Sequence, residues 1–260
     1  MRSVDDIISN TQPRPLVIAH RGASHYHHQN TMGAFEAAVD MQSEMIEFDV
    51  RRTYDNVLVV HHDPDIDGDS ISGMFHEEAS KRASNAGYEL PTLSQALEYC
   101  MDKVPLDIEL KEAGYEEEVL TEIMDVIGPE QFVITSAHDA VIRQARDLRA
   151  DLKTGLIISG HPRWQLLNNL YPERRARKAG ADLLVVSKEL LKVGFLSTTK
   201  NLDLPVWIYT INDRKELWKM ITDDRVAGIF SDRPDVALFL RDLYSVSKDK
   251  AMPPSIKVRE

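Results

Sequence analysis

The 260-residue sequence predicts an α/β fold: a (β/α)8 TIM barrel with a small insertion after the second barrel strand. Three observations carry that expectation. Short apolar runs alternate with amphipathic helical patterns along nearly the whole chain. Strands separated by helices pair in parallel through right-handed crossovers. Eight such units in this length point to a closed barrel rather than an open doubly wound sheet.

The elements follow in order. Residues 1–13 (MRSVDDIISNTQP) carry two acidic residues and no apolar run, which excludes a secretory signal and reads as a terminal extension. A single barrel domain is expected over 14–246. Its strand candidates are Leu16–His20, Met45–Val50, Val104–Leu110, Phe132–Ser136, Thr154–Ser159, Asp182–Ser187, Val206–Ile211 and Gly228–Ser231. A further run, Val57–His61, follows the second strand after only Tyr54-Asp55-Asn56, a spacing that permits a hairpin but no helical crossover. Helical patterns cover Thr31–Met41, Leu93–Met101, Glu116–Ile127, Ala140–Leu148, Arg163–Lys178, Lys215–Ile221 and Val236–Tyr244. Thr31 and Asp213 are placed to cap helix starts, and Gly128 and Gly180 to stop helices. His62–Leu90 contains DPDIDGDSISG and shows no strong period, so residues 54–90, hairpin included, read as an insertion over the barrel mouth. The tail 247–260 has two prolines and no periodic apolar face.

Composition narrows the function classes. Acidic residues outnumber basic ones, 42 to 31, giving a formal charge of -11 that excludes nucleic acid as the main partner. No apolar stretch is long enough for stable membrane insertion. The lone Cys100 rules out an internal disulfide and reads as a core residue at a helix end; with the N-terminus, it places the protein in the cytoplasm.

Active sites of such barrels lie at the C-terminal ends of the strands. There this chain is polar where a buried strand should be apolar: His20-Arg21-Gly22, Glu47-Phe48-Asp49, His61-His62-Asp63 and Asp107-Ile108-Glu109-Leu110-Lys111. Residues two apart share a strand face, so Glu47 points with Asp49, and Asp107 with Glu109 and Lys111. One such cluster would read as an ion network with Arg21, Arg51 and Lys111. Four at successive strand ends read as a site. Converging buried carboxylates are costly without a counter-charge, and all-oxygen ligands suit Mg²⁺ or Ca²⁺ over Zn²⁺.

His20-Arg21-Gly22, Asn30-Thr31 followed by Ala34-Phe35, Ile46-Glu47-Phe48-Asp49-Val50, His62-Asp63, Pro91-Thr92-Leu93 and Ile108-Glu109-Leu110-Lys111 form an ordered set. It continues through Tyr209-Thr210-Ile211-Asn212 and Ser231-Asp232-Arg233-Pro234. This set resembles the glycerophosphodiester phosphodiesterase family over about residues 15–240. The resemblance implies hydrolysis of a small-molecule glycerophosphodiester to glycerol 3-phosphate and an alcohol. Carried onto this chain, it implies that Glu47, Asp49 and Glu109 hold one divalent cation, Mg²⁺ or Ca²⁺. It further implies that His20 and His62 act as acid and base and that Arg21 and Lys111 contact the phosphate. A lysophospholipid or another glycerol-type diester is the alternative substrate, and a barrel that binds diesters without turnover the alternative class.

The chain departs from the family at Gln29, where glutamate is usual, and at Asp65-Ile66-Asp67-Gly68, where Arg-Thr-Thr is common. Gln29 reads as packing at the start of the first helix. Tyr209 replaces a usual Trp and keeps an aromatic wall. His25, His27 and His28 read as loop residues, His61 as turned away from His62, and Trp164, Trp207 and Trp218 as packing. Arg174–Lys178 reads as a solvated helix face.

Overall fold

The apolar runs form eight parallel strands: β1 (Leu16–His20), β2 (Met45–Arg52), β3 (Leu106–Leu110), β4 (Phe132–Ser136), β5 (Lys153–Ile158), β6 (Leu183–Ser187), β7 (Val206–Tyr209) and β8 (Gly228–Ser231). Each pairs with the next, and β8 returns to β1, which closes the barrel. The structure is a computed structural model that describes residues 3–8, 15–159, 172–193, 195–198 and 204–247.

Alternation along the strands divides the side chains between two cores. Outward residues such as Ile46, Phe48, Ile108 and Ile134 pack beneath the helices. Inward residues Leu16, Ile18, Met45, Val133, Ile157, Leu183, Val185, Trp207 and Phe230 fill the barrel. The floor also receives Val4, Ile7 and Ile8 from a short helix, Val4–Ile8, in the N-terminal extension. Their i, i+3, i+4 spacing puts one apolar stripe against the strand starts, and Asp5 pairs with Lys153 at 2.8 Å.

Trp207 fits inside because its neighbour on β8 is Gly228. A Cβ on Gly228 would lie 2.6 Å from Trp207 Cδ1. Gly228→Ala therefore overpacks the layer and is expected to cost about 1–3 kcal/mol. Calorimetry should show a thermal midpoint several degrees lower; an unchanged midpoint would mean that the indole can move aside.

The hairpin expected after β2 is present. Leu58–Val60 runs antiparallel to β2, pairing Val50 with Val60 and Arg52 with Leu58. The insertion has more order than its composition suggests. Asp65–Ile66 and Asp69–Ser70 form a tight hairpin whose turn residues Asp67 (φ 54) and Gly68 (φ 84) are both left-handed. A helix, His76–Asn85, follows. It is not legible in the sequence because its buried face consists only of Ala79 and Ala83, too weak an apolar stripe to register as a period.

Thr31 and Asp213 do cap their helices, Met32–Asp40 and Arg214–Ile221. Gly180 ends Pro172–Ala179 at φ 78. Gly128 does not stop a helix: Glu116–Met124 ends earlier, and Gly128 is extended at φ -78. Residues 163–171 of the expected Arg163–Lys178 helix, with Trp164, lie outside the described residues. Between β6 and β7, where the sequence shows no helical pattern, stand a 3-10 segment, Lys188–Val193, and the four-residue helix Phe195–Thr198. Cys100 is buried at the end of Leu93–Cys100, and burial pushes its thiol up to about 12. No helix among the described residues is long and apolar enough to cross a membrane.

Candidate active site

The polar ends of β1, β2 and β3 lie side by side. Register pairs His20 with Glu47, Glu47 with Asp107, and Asp49 with Glu109. Because these are inward positions, one ligand oxygen from each of Glu47, Asp49 and Glu109 falls within 4.8 Å of the others. It is the one such His/Cys/Asp/Glu group among the described residues, so His25, His27 and His28 form no second cluster.

Two cations and several amides surround the triad. Lys111 Nζ is 2.9 Å from Glu109 Oε1 and 3.3 Å from Asp49 Oδ1. Arg21 Nε is 3.2 Å from Asp49 Oδ2, and its backbone N–H donates to Glu47 Oε2 at 2.8 Å. Asn30 Nδ2 donates to Asp49 Oδ2 at 2.8 Å. The turn that delivers these groups bends sharply after β1. Arg21 (φ 56) and Gly22 (φ 80) are both left-handed, and a Cβ on Gly22 would meet the Ala34 backbone at 2.7 Å. Only glycine allows the helix Met32–Asp40 to approach so closely.

Each histidine has a carboxylate partner. His20 Nδ1 is 2.7 Å from Asp232 Oδ1, and Asp232 in turn accepts from Ser24 Oγ at 3.0 Å and Asn212 Nδ2 at 2.5 Å. His62 Nδ1 is 2.8 Å from Asp63 Oδ1. With Nδ1 engaged, Nε2 is the nitrogen left for the cavity. His20, Arg21, Glu47, His62, Glu109 and Lys111 line one cavity of about 190 Å³, with Asp49 fully buried behind them. The facing wall is Ala137, Ile157, Val185, Tyr209 and Phe230.

The electrostatics are those of a carboxylate cluster short of positive charge. Burial, then Asp49, drives the Glu47 carboxyl well above its ordinary range. Burial raises Glu109 to about 7 despite Lys111. Asp107, buried beneath, is also raised by burial, although Thr135 Oγ1 donates to it at 2.7 Å. Burial acts on Asp49 in the same direction, but Lys111 and Arg21 outweigh it and hold the group low. Burial, then Lys111 and Arg21, pushes His62 down to about 4; burial also lowers His20 against the pull of Asp232. Asp107 Oδ2 has no hydrogen-bond partner, and Asp49 Oδ1 has none beyond the 3.3 Å approach of Lys111 Nζ. An all-oxygen donor set of three converging, mostly buried carboxylates, one of whose oxygens meets only a long ammonium contact, fits a hard divalent cation.

Sequence reasoning missed several supporting residues. Asp232 stands out in the chain only as part of a motif, yet it follows Ser231, whose partner in register is Ala19, and this delivers it beside His20. Asn30 and Asn212 likewise carry no role that the sequence reveals. His61 does turn away from the cavity: it is buried, with Nδ1 3.0 Å from the Asp63 carbonyl oxygen and its ring against Tyr88. Gln29 also makes a polar contact that the sequence does not reveal: its Oε1 accepts from Arg21 Nη1 at 2.5 Å. Trp207 and Trp218 are packing residues, as expected.

A family model described as the glycerophosphoryl diester phosphodiesterase family matches residues 20–236. The chain belongs to this family. It is accordingly a phosphoric diester hydrolase acting on glycerophosphodiesters. A glycerophosphodiester phosphodiesterase of Bacillus subtilis is 25% identical over 256 residues, covering 86% of this chain and 85% of that protein. One from Bacillus altitudinis is 27% identical over 248 residues, covering 87% and 98%. Among solved structures, an Oleispira antarctica phosphodiesterase in complex with the product sn-glycerol-3-phosphate superposes with a TM-score of 0.71. It is 25% identical, covering 88% of this chain and 97% of that one.

Proposed function

We propose that the enzyme cleaves glycerophosphodiesters to glycerol 3-phosphate and an alcohol by two-histidine acid–base catalysis beside a divalent cation. The observation that supports this reading is the convergence of two carboxylate-paired imidazoles and one acidic triad on a single cavity. The product named for the Oleispira neighbour is the one expected here.

Glu47, Asp49 and Glu109 would hold the cation. When bound, Mg²⁺ or Ca²⁺ supplies Lewis-acid polarisation and offsets the charge that builds on the phosphoryl oxygens. Arg21 and Lys111 bind the anionic diester and lower its repulsion of a nucleophile. One imidazole takes the proton of the attacking hydroxyl as the new P–O bond forms. The other donates its proton to the departing alkoxide as the old P–O bond breaks, so the pair ends one proton transfer from its starting state. Ile157, Val185, Tyr209 and Phe230 face the charged half and would receive the carbon skeleton.

Incubation with glycerophosphocholine or glycerophosphoethanolamine, with Mg²⁺, Ca²⁺ or chelator, tests the proposal. Metal-dependent release of glycerol phosphate supports it; release that survives exhaustive chelation removes the cation from the mechanism. Tight substrate binding without product would show a diester-binding barrel instead.

Asp232→Asn probes the support of His20. The amide preserves shape but loses the charge that orients the ring and stabilises its protonated form. A fall of about 100-fold in kcat with KM nearly unchanged is expected, within the range of general acid–base effects. Parent-like kcat in this variant would leave Asp232 with a folding role only.

A further inference from the structure

We infer that Arg51 is a positioning residue that sets the place of His62 through the His62 main chain. The inference rests on the proposed role of His62.

His62 does not belong to a barrel strand. It follows Leu58–Val60, whose pairing with β2 ends at Val60. Its ring nitrogen Nδ1 donates to Asp63, a side chain that is itself 59% exposed. A histidine on a hairpin end would wander unless its backbone were held, and a misplacement of about 1 Å can cost roughly 100-fold in rate. Arg51 provides the hold. Its Nε and Nη2 both donate to the His62 carbonyl oxygen, at 2.9 and 2.7 Å. Its third arm pairs with Glu112. The neighbouring His61 N–H donates to the Asp49 carbonyl at 2.9 Å, so the segment is fastened to β2 by a main-chain bond as well.

The clamp is built on fixed ground. The Arg51 side chain is 8% exposed, and a buried guanidinium persists only where its N–H groups are satisfied. Tyr115, also buried, donates its phenol to the Val50 carbonyl at 2.8 Å and accepts from Glu112 N at 3.2 Å. That holds the backbone of Glu112 against β2 and lets its carboxylate set the plane of the guanidinium. A charged donor on a neutral carbonyl makes a stronger bond than two neutral groups would. Lysine cannot replace it: an ammonium has no planar fork with which to grip one oxygen from two nitrogens.

A double-mutant cycle in the full-length protein tests this, with glycerophosphoethanolamine as substrate. Arg51→Lys should lower kcat by about 10–100-fold, leave KM within about 2-fold, and leave calorimetric affinity for Mg²⁺ or Ca²⁺ unchanged. In a His62→Ala background the same substitution should cost less than about 2-fold, because a residue acting through His62 has nothing left to position. Arg51→Gln, which also removes the charge opposite Glu112, should show the same loss of additivity. Losses that multiply in the double variants overturn the inference, as does parent-like kcat in Arg51→Lys beside an inactive His62→Ala. A fully active His62→Ala takes away the underlying reading as well, so the two failures are distinguishable.

Discussion

His20→Ala and His62→Ala should each lower turnover of a glycerophosphodiester by about 10²–10⁴-fold, with thermal midpoints close to that of the parent chain. The size follows from the chemistry. Without a base the nucleophile keeps its proton, and without an acid the leaving alkoxide departs unprotonated. The small change in stability follows from position. Both rings face the polar cavity rather than the apolar core, and after His20 is removed Asp232 still accepts from Ser24 and Asn212. A nitrophenyl diester separates the two roles. Nitrophenolate leaves without a proton, so the variant that lacks the acid regains most of its activity on that substrate and the variant that lacks the base does not. Parent-like turnover of the natural diester in both variants would end the acid–base proposal.

The second large effect joins metal to pH. Metal-free protein should lose stability as pH rises from 6.5 towards 8, and millimolar Mg²⁺ or Ca²⁺ should abolish the loss. The sign follows from groups whose folded pKa values lie above their unfolded ones: Glu109 at about 7, with Glu47 and Asp107 raised well above the ordinary carboxylate range. Their protonated forms are favoured by the fold, so their contribution is full below the unfolded pKa and is lost as pH rises through the folded one. His20, His61 and His62 have lowered values and act in the opposite sense, but only below 6.5, where the unfolded imidazoles gain protons. Above 6.5 the carboxylates set the slope. Each proton held only by the folded chain is worth about 1.4 kcal/mol per pH unit, or about 2–4 °C in midpoint for a chain near this size. Bound cation replaces those protons and adds stability by mass action. Calorimetry at pH 6.5, 7.25 and 8, with chelator or cation, checks it. A flat or rising metal-free profile, or a cation without effect at pH 8, would remove the triad as a metal site. Glu47→Gln should flatten the metal-free profile.

Both predictions draw on a site whose two halves are unequally visible in the chain. The period of two along a strand is a local property, so spacing alone assigns Glu47 with Asp49, and Glu109 with Lys111, to one face. Helix caps at Thr31 and Asp213 are equally local, and so is the alternation of apolar runs that implies a barrel. The sequence by itself therefore determined the order of the barrel strands and the inward set of charges on β2 and β3. Tertiary structure decided what depends on closure and on anchoring. Asp232 is 212 residues from His20 and reaches it only because β8 pairs with β1. The N-terminal helix gains meaning only as the floor beneath Trp207, and the alanine-faced helix His76–Asn85 only against the small core that covers it. Arg51 carried one more inward charge on β2 and nothing to distinguish it. Its contact with the His62 carbonyl arises from the fold of the hairpin back onto β2, because hydrogen-bond partners far apart in sequence are chosen by packing rather than by period.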